Sequence, residues 1–93
     1  MPEIEIETTE HHDSYEFQVT VREGRTETRH RVTLQKTDFD DLVGDAASPD
    51  ALVRKSFRFL LEREAKESIL RSFDLMVIGR YFPEYRREIV RRL

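Results

Sequence analysis

The side chains with the most obvious chemical capacity in this 93-residue chain are five arginines near its end, Arg80, Arg86, Arg87, Arg91 and Arg92. Guanidinium groups clustered on one helix can neutralise phosphates, so the ligand their spacing suggests is a nucleic-acid backbone. Two features oppose that reading. Glu84 and Glu88 stand at helical pairing distance from these arginines, and the chain as a whole is acidic, with a pI near 5.6. The competing expectation is a solvated, self-paired helix face.

The other reactive side chains are fewer. Glu10-His11-His12-Asp13 could hold a divalent metal weakly, but adjacent histidines on an extended chain point in opposite directions. Asp38, Asp40, Asp41 and Asp45 lack the acid, glycine and terminal glutamate spacing of a calcium loop and read as helix-capping acids. His30 falls on the inward side of a strand, where a packed, hydrogen-bonded imidazole is the ordinary outcome. Glu62, Glu64 and Asp74 are the remaining acid–base candidates, all at surface or capping positions. There is no cysteine, which excludes disulfides, thiolate nucleophiles and cysteine-held metals. No nucleophile elbow, phosphate-binding glycine loop or zinc-protease motif occurs, so the expectation is no enzyme, no cofactor, no metal and no small-molecule substrate.

The elements that must carry these residues divide the chain in two. Residues 1–50 hold thirteen acids against five bases and alternate with period two, whereas residues 51–93 hold six acids against eleven bases and follow a helical period. Tyr15, Phe17, Val19 and Val21 alternate with polar residues, and Thr28, His30, Val32 and Leu34 do so again after Gly24. This predicts a β-hairpin over 14–22 and 26–36. Ile4 and Ile6 between glutamates allow a third strand over 3–7, so residues 1–13 are read as an edge strand or a mobile arm of a single domain spanning 1–93.

Beyond the hairpin, Thr37 or Asp38 would cap a short helix ended by Gly44. Ser48-Pro49-Asp50 opens a longer amphipathic helix with Leu52, Val53, Phe57, Leu60 and Leu61 inward and Phe59 at its flank. Helical pattern resumes through Ile69, Leu70 and Phe73 after a break near 64–66. Asp74 would cap an almost wholly apolar segment, 75–82, and Pro83 would start a last helix with Tyr85, Ile89, Val90 and Leu93 inward. The predicted fold is α+β: an antiparallel sheet of two to three strands packed on one face by three to four C-terminal helices.

Residues 52–85 resemble the C-terminal part of a family of small prokaryotic proteins with no established activity. The likeness lies in the SFRFLLERE helix, the SILRSFDL turn and the YFPEY joint, with RVTL as a weaker fourth point. It implies a shared fold and carries over no site residues.

Two functions follow as expectations. The first is a non-enzymatic interaction module that binds a protein partner or itself as a homodimer through Leu75, Met76, Ile78, Tyr81 and Phe82, together with the basic last helix. Its motive is a surplus of apolar residues in a chain whose core must be small. The alternative is nucleic-acid binding through Arg80, Arg86, Arg87, Arg91 and Arg92. The acidic N-terminus carries no signal-like apolar run, and no stretch nears the ~20 apolar residues of a spanning helix. A soluble cytoplasmic protein without a membrane partner is therefore expected, and its small, tail-free form suggests a prokaryotic source.

Overall fold

In the computed structural model, which describes residues 2–93, the period-two segments form three long antiparallel strands: β1 (Glu3–Glu10), β2 (Ser14–Glu23) and β3 (Thr26–Gln35). Gly24 turns β2 into β3 with φ of +61°, while no other residue of that turn leaves the negative-φ region. That is the pattern of a two-residue loop with glycine at its first central position. The register stacks Ile4 on Val21 and Thr28, Ile6 on Val19 and His30, and Thr8 on Phe17 and Val32, so one face is apolar. The opposite face carries Glu3, Arg22 and Glu27 in one row and Glu5, Thr20 and Arg29 in the next. The N-terminal strand is thus a full partner of the hairpin and runs three residues beyond the expected 3–7.

A fourth strand, β4 (Ser72–Asp74), lies parallel to β3, giving the order β1-β2-β3-β4 and a mixed sheet. It replaces the helix expected through Ile69, Leu70 and Phe73. The chain instead makes a 3₁₀ turn at Lys66–Ser68 and then extends, so that Phe73 sits opposite Val32 and its ring lies 6.1 Å from that of Phe57. Apolar residues at 69, 70 and 73 match one helical turn as well as a buried extended segment, and tertiary pairing decides between them.

The helices cover the apolar face. α1 (Lys36–Leu42) ends at Gly44, which adopts φ of +59°, and sets Phe39 edge-on to Tyr15 at 5.9 Å. Its N-cap is Gln35 with no side-chain bond, not Thr37 or Asp38, because the helix begins directly where β3 stops. α2 (Pro49–Leu61) starts as expected, with Ser48 Oγ accepting the Ala51 N–H at 3.2 Å. Leu52, Val53, Phe57 and Leu60 are buried, and so is Phe59, expected only at the flank. A last helix packs against that side and encloses its ring. After β4, Asp74 caps a 3₁₀ turn at Leu75–Val77 by accepting the Met76 N–H at 3.1 Å. α3 (Ile78–Tyr81) continues it, and α4 (Tyr85–Arg92) follows the turn at Pro83 and Glu84, two residues later than the proline suggested.

The core therefore lies between sheet and helices, with Phe17, Val32, Leu34, Phe57, Phe59, Leu75, Tyr85 and Ile89 fully enclosed. Its polar members are satisfied. Ser56 Oγ donates to Leu52 O at 2.7 Å and meets the Tyr85 hydroxyl at 2.6 Å, joining α2 to α4. Val90, expected inward, is 49% exposed because Tyr85 and Ile89 already define the packed side of α4.

Candidate functional site

The apolar segment 75–82 splits between core and surface. Leu75 and Ile78 are buried, and Met76 is half-buried against them. Tyr81 is 67% exposed, the largest exposed hydrophobic side chain in the described residues, and Phe82 is half-buried. Together with Ile78, these two line a cleft of about 290 Å³ whose other walls are Leu60 of α2, Glu64 just after it, Ile69 and Leu70 before β4, and Phe73. Leu70 is itself 47% exposed. Of the five residues proposed as an interface, Tyr81, Phe82 and Ile78 therefore meet at one concavity. Leu75 has no surface to offer. Leu70, Phe73 and Glu64 belong to the site although the sequence pattern did not single them out, since three separate elements bring them together.

The cleft's electrostatics are unusual for so apolar a site. Glu64 makes no ion pair or side-chain hydrogen bond among the described residues, and burial pushes its carboxyl above the usual carboxylate range. The remaining polar groups of the lining are the hydroxyls of Ser68 and Tyr81. Neither is hydrogen-bonded to Glu64 among the described residues, so no acid–base pair is assembled there. Arg71 and Arg80 adjoin the lining residues Leu70 and Tyr81 in sequence, are exposed, and have no carboxylate within 4 Å among the described residues.

The other acid–base candidates are engaged. Glu62 accepts two bonds from Arg92, at 2.6 and 2.7 Å, and its carboxyl is held below the usual range by that guanidinium. Asp74 accepts from Met76 N–H and from the Thr33 hydroxyl at 3.1 Å. His11 lies 3.4 Å from Glu16 and His12 3.5 Å from Asp13, and no group of three or more potential metal ligands exists among the described residues.

The arginines of the C-terminal region divide in the same way. Arg92 is tied to Glu62, and Arg91 lies 3.6 Å from Glu88. Arg80, Arg86 and Arg87 are exposed and have no carboxylate within 4 Å among the described residues. None of these five arginines is paired with the acidic N-terminal half, so the charge split between the halves is not neutralised through them. Arg63, by contrast, stacks 3.6 Å above the Phe59 ring and lies 3.6 Å from Glu84, a packing role at the joint of α2 and α4.

No protein-family model, no curated protein and no solved structure matches this chain. No helix of the described residues is long and apolar enough to cross a membrane. The molecule's own geometry must therefore carry the functional reading.

Proposed function

We propose that this protein is a non-enzymatic, self-associating module of the cytoplasm, whose cleft between α2, β4 and α3 receives the same surface of a second copy. The observation that carries the proposal is the pairing of a hollow with a projection on one patch: the 290 Å³ cleft is bordered by Tyr81, two-thirds exposed, and Leu70, half exposed. A two-fold interface requires one surface to be complementary to itself, and a patch with both a hollow and a protruding aromatic meets that condition. Charge supports the same occupant. Glu64 inside the cleft and Arg71 and Arg80 beside it each lack an intramolecular partner, and they are of opposite sign. A second copy related by a two-fold axis would bring one copy's carboxylate towards the other's guanidinium groups. An aromatic seated in a desolvated pocket is the usual anchor of such contacts.

Light scattering coupled to gel filtration, from low to high micromolar concentration, tests this. The expected mass rises towards twice the 11.1 kDa chain. Tyr81→Asp and Leu70→Asp, both at exposed positions that leave the core intact, should each hold the protein at the mass of one chain. A strict monomer at the highest concentration, or a dimer indifferent to both substitutions, overturns the proposal.

A further inference from the structure

Most cations of the sheet side are ion-paired, whereas four on α2 and α4 are not. On the sheet side, Arg22 bonds Glu5 and lies 3.1 Å from Glu27, which Arg29 also meets at 3.1 Å. Arg31 reaches Glu16 at 2.8 Å, and Lys36 reaches Glu10 at 2.6 Å. On the helical layer, Lys55 and Arg58 of α2 and Arg86 and Arg87 of α4 have no carboxylate within 4 Å among the described residues. Lys55 and Arg58 line a shallow hollow of about 190 Å³ together with Arg92, whose charge is balanced there by Glu62. The two helices are packed against each other through Ser56, Phe59 and Tyr85. With those residues buried, Arg86 and Arg87 are exposed, and Lys55 and Arg58 are half-buried beside the hollow.

We propose that the face of α2 and α4 carrying these cations binds the phosphate backbone of duplex nucleic acid. In a chain of net charge −3, four cations of α2 and α4 without a carboxylate partner among the described residues present a local field opposite to its overall sign. Three of the four are arginines, whose planar forks match phosphate oxygens better than an ammonium does. The large exposed hydrophobic side chains of the described residues are Leu70, Tyr81 and Val90, and only Val90 lies on either helix. The face therefore has neither an apolar stripe to enter a lipid surface nor an aromatic to stack on unpaired bases. What remains is sequence-independent contact with a regular array of phosphates. None of the four cations lines the cleft, so the inference stands independently of self-association.

Fluorescence anisotropy of a labelled DNA duplex of about two helical turns, titrated at several salt concentrations, is the test. Four neutralised phosphates would give a log–log salt slope of about −3 to −4. Arg86→Glu with Arg87→Glu should weaken binding by at least about tenfold, since two attractions become repulsions. The charge-matched control Arg25→Glu with Arg29→Glu, on the hairpin, should leave it within about twofold. Binding that is absent at low salt or independent of salt overturns the proposal. Equal loss in the control overturns the assignment to this face. Displacement by poly-glutamate as readily as by unlabelled duplex would make an acidic polypeptide the ligand and sink the nucleic-acid reading.

Discussion

His30 shows how much one enclosed side chain can determine. Its Nδ1 lies 2.7 Å from Leu70 O, a pure acceptor, so Nδ1 carries the proton; Nε2, 2.8 Å from Thr28 Oγ1, then accepts from that hydroxyl. The ring thus fastens the wall of the cleft at Leu70 to β3; an imidazolium would keep both contacts by donating from each nitrogen, so what opposes the charged form is burial. Burial lowers its pKa, the bond to Leu70 opposes that shift, and the Arg71 charge adds to it. The folded protein therefore resists a proton that the unfolded chain binds below about pH 6.5. The unfolded state carries more protons between that value and the lower folded pKa, so stability falls as pH drops through this window and levels off below it. Urea midpoints measured from about pH 7.5 to 5.5 should decline, and His30→Gln should flatten the decline while costing about 1–3 kcal/mol at the upper pH through its unmet partners. An unchanged slope in the variant would move the titration to another group. His30 was legible in the sequence as an inward polar residue, but its partner at Leu70, forty positions away, was not.

Among the elements, the two helix starts make a matched comparison. α2 begins with a Ser48 side chain that satisfies the Ala51 N–H, followed by Pro49 and Asp50, whereas α1 begins at Gln35 without any side-chain bond. Ser48→Ala should lower stability by about 0.5–2 kcal/mol. Thr37→Ala, at the residue that looks like a cap in the sequence, should stay within about 0.5 kcal/mol. Chemical denaturation of both settles the matter, and an equal loss at the two sites would contradict the cap assignment. The same contrast explains what the sequence disclosed. The hairpin was readable because Tyr15–Val21 and Thr28–Leu34 alternate over several residues and glycine stands at the turn. β4 was not, because three residues cannot display a period, and its link from Asp74 to Thr33 spans 41 positions. The cleft was half readable: Ile78, Tyr81 and Phe82 advertise surplus apolar surface, while Glu64, Leu70 and Phe73 join them only through the path the chain takes between α2 and α3. Nor could the sequence tell which arginines are free, since Arg92 finds Glu62 thirty residues away.

For the molecule as a whole, an open sheet raises the question of what keeps its edges from pairing with other copies. β4 offers only three residues, and β1, eight residues long, is the more exposed liability. Two contacts tie it to α2: Arg54 Nη1 donates to Ile4 O at 2.5 Å, and the Thr8 hydroxyl of β1 donates to Asp50 Oδ1 at 2.6 Å. Glu3, Glu5, Glu7 and Glu10 add like charges that would oppose each other in any strand laid alongside in register. The helical layer thus covers the apolar face and engages β1 at Ile4 and Thr8, while the glutamates guard the rest of the strand. Removing the guard should reveal it. Glu5→Thr and Glu7→Thr combined with Arg54→Ala would turn β1 into a neutral β-prone edge with a free carbonyl at Ile4. Held below its unfolding midpoint, that variant should scatter light increasingly with time and develop the infrared signature of intermolecular strands, while the parent chain does neither. A variant that stays as monodisperse as the parent while folded would show that these groups do not protect the edge, and that the short β4 and the helices suffice.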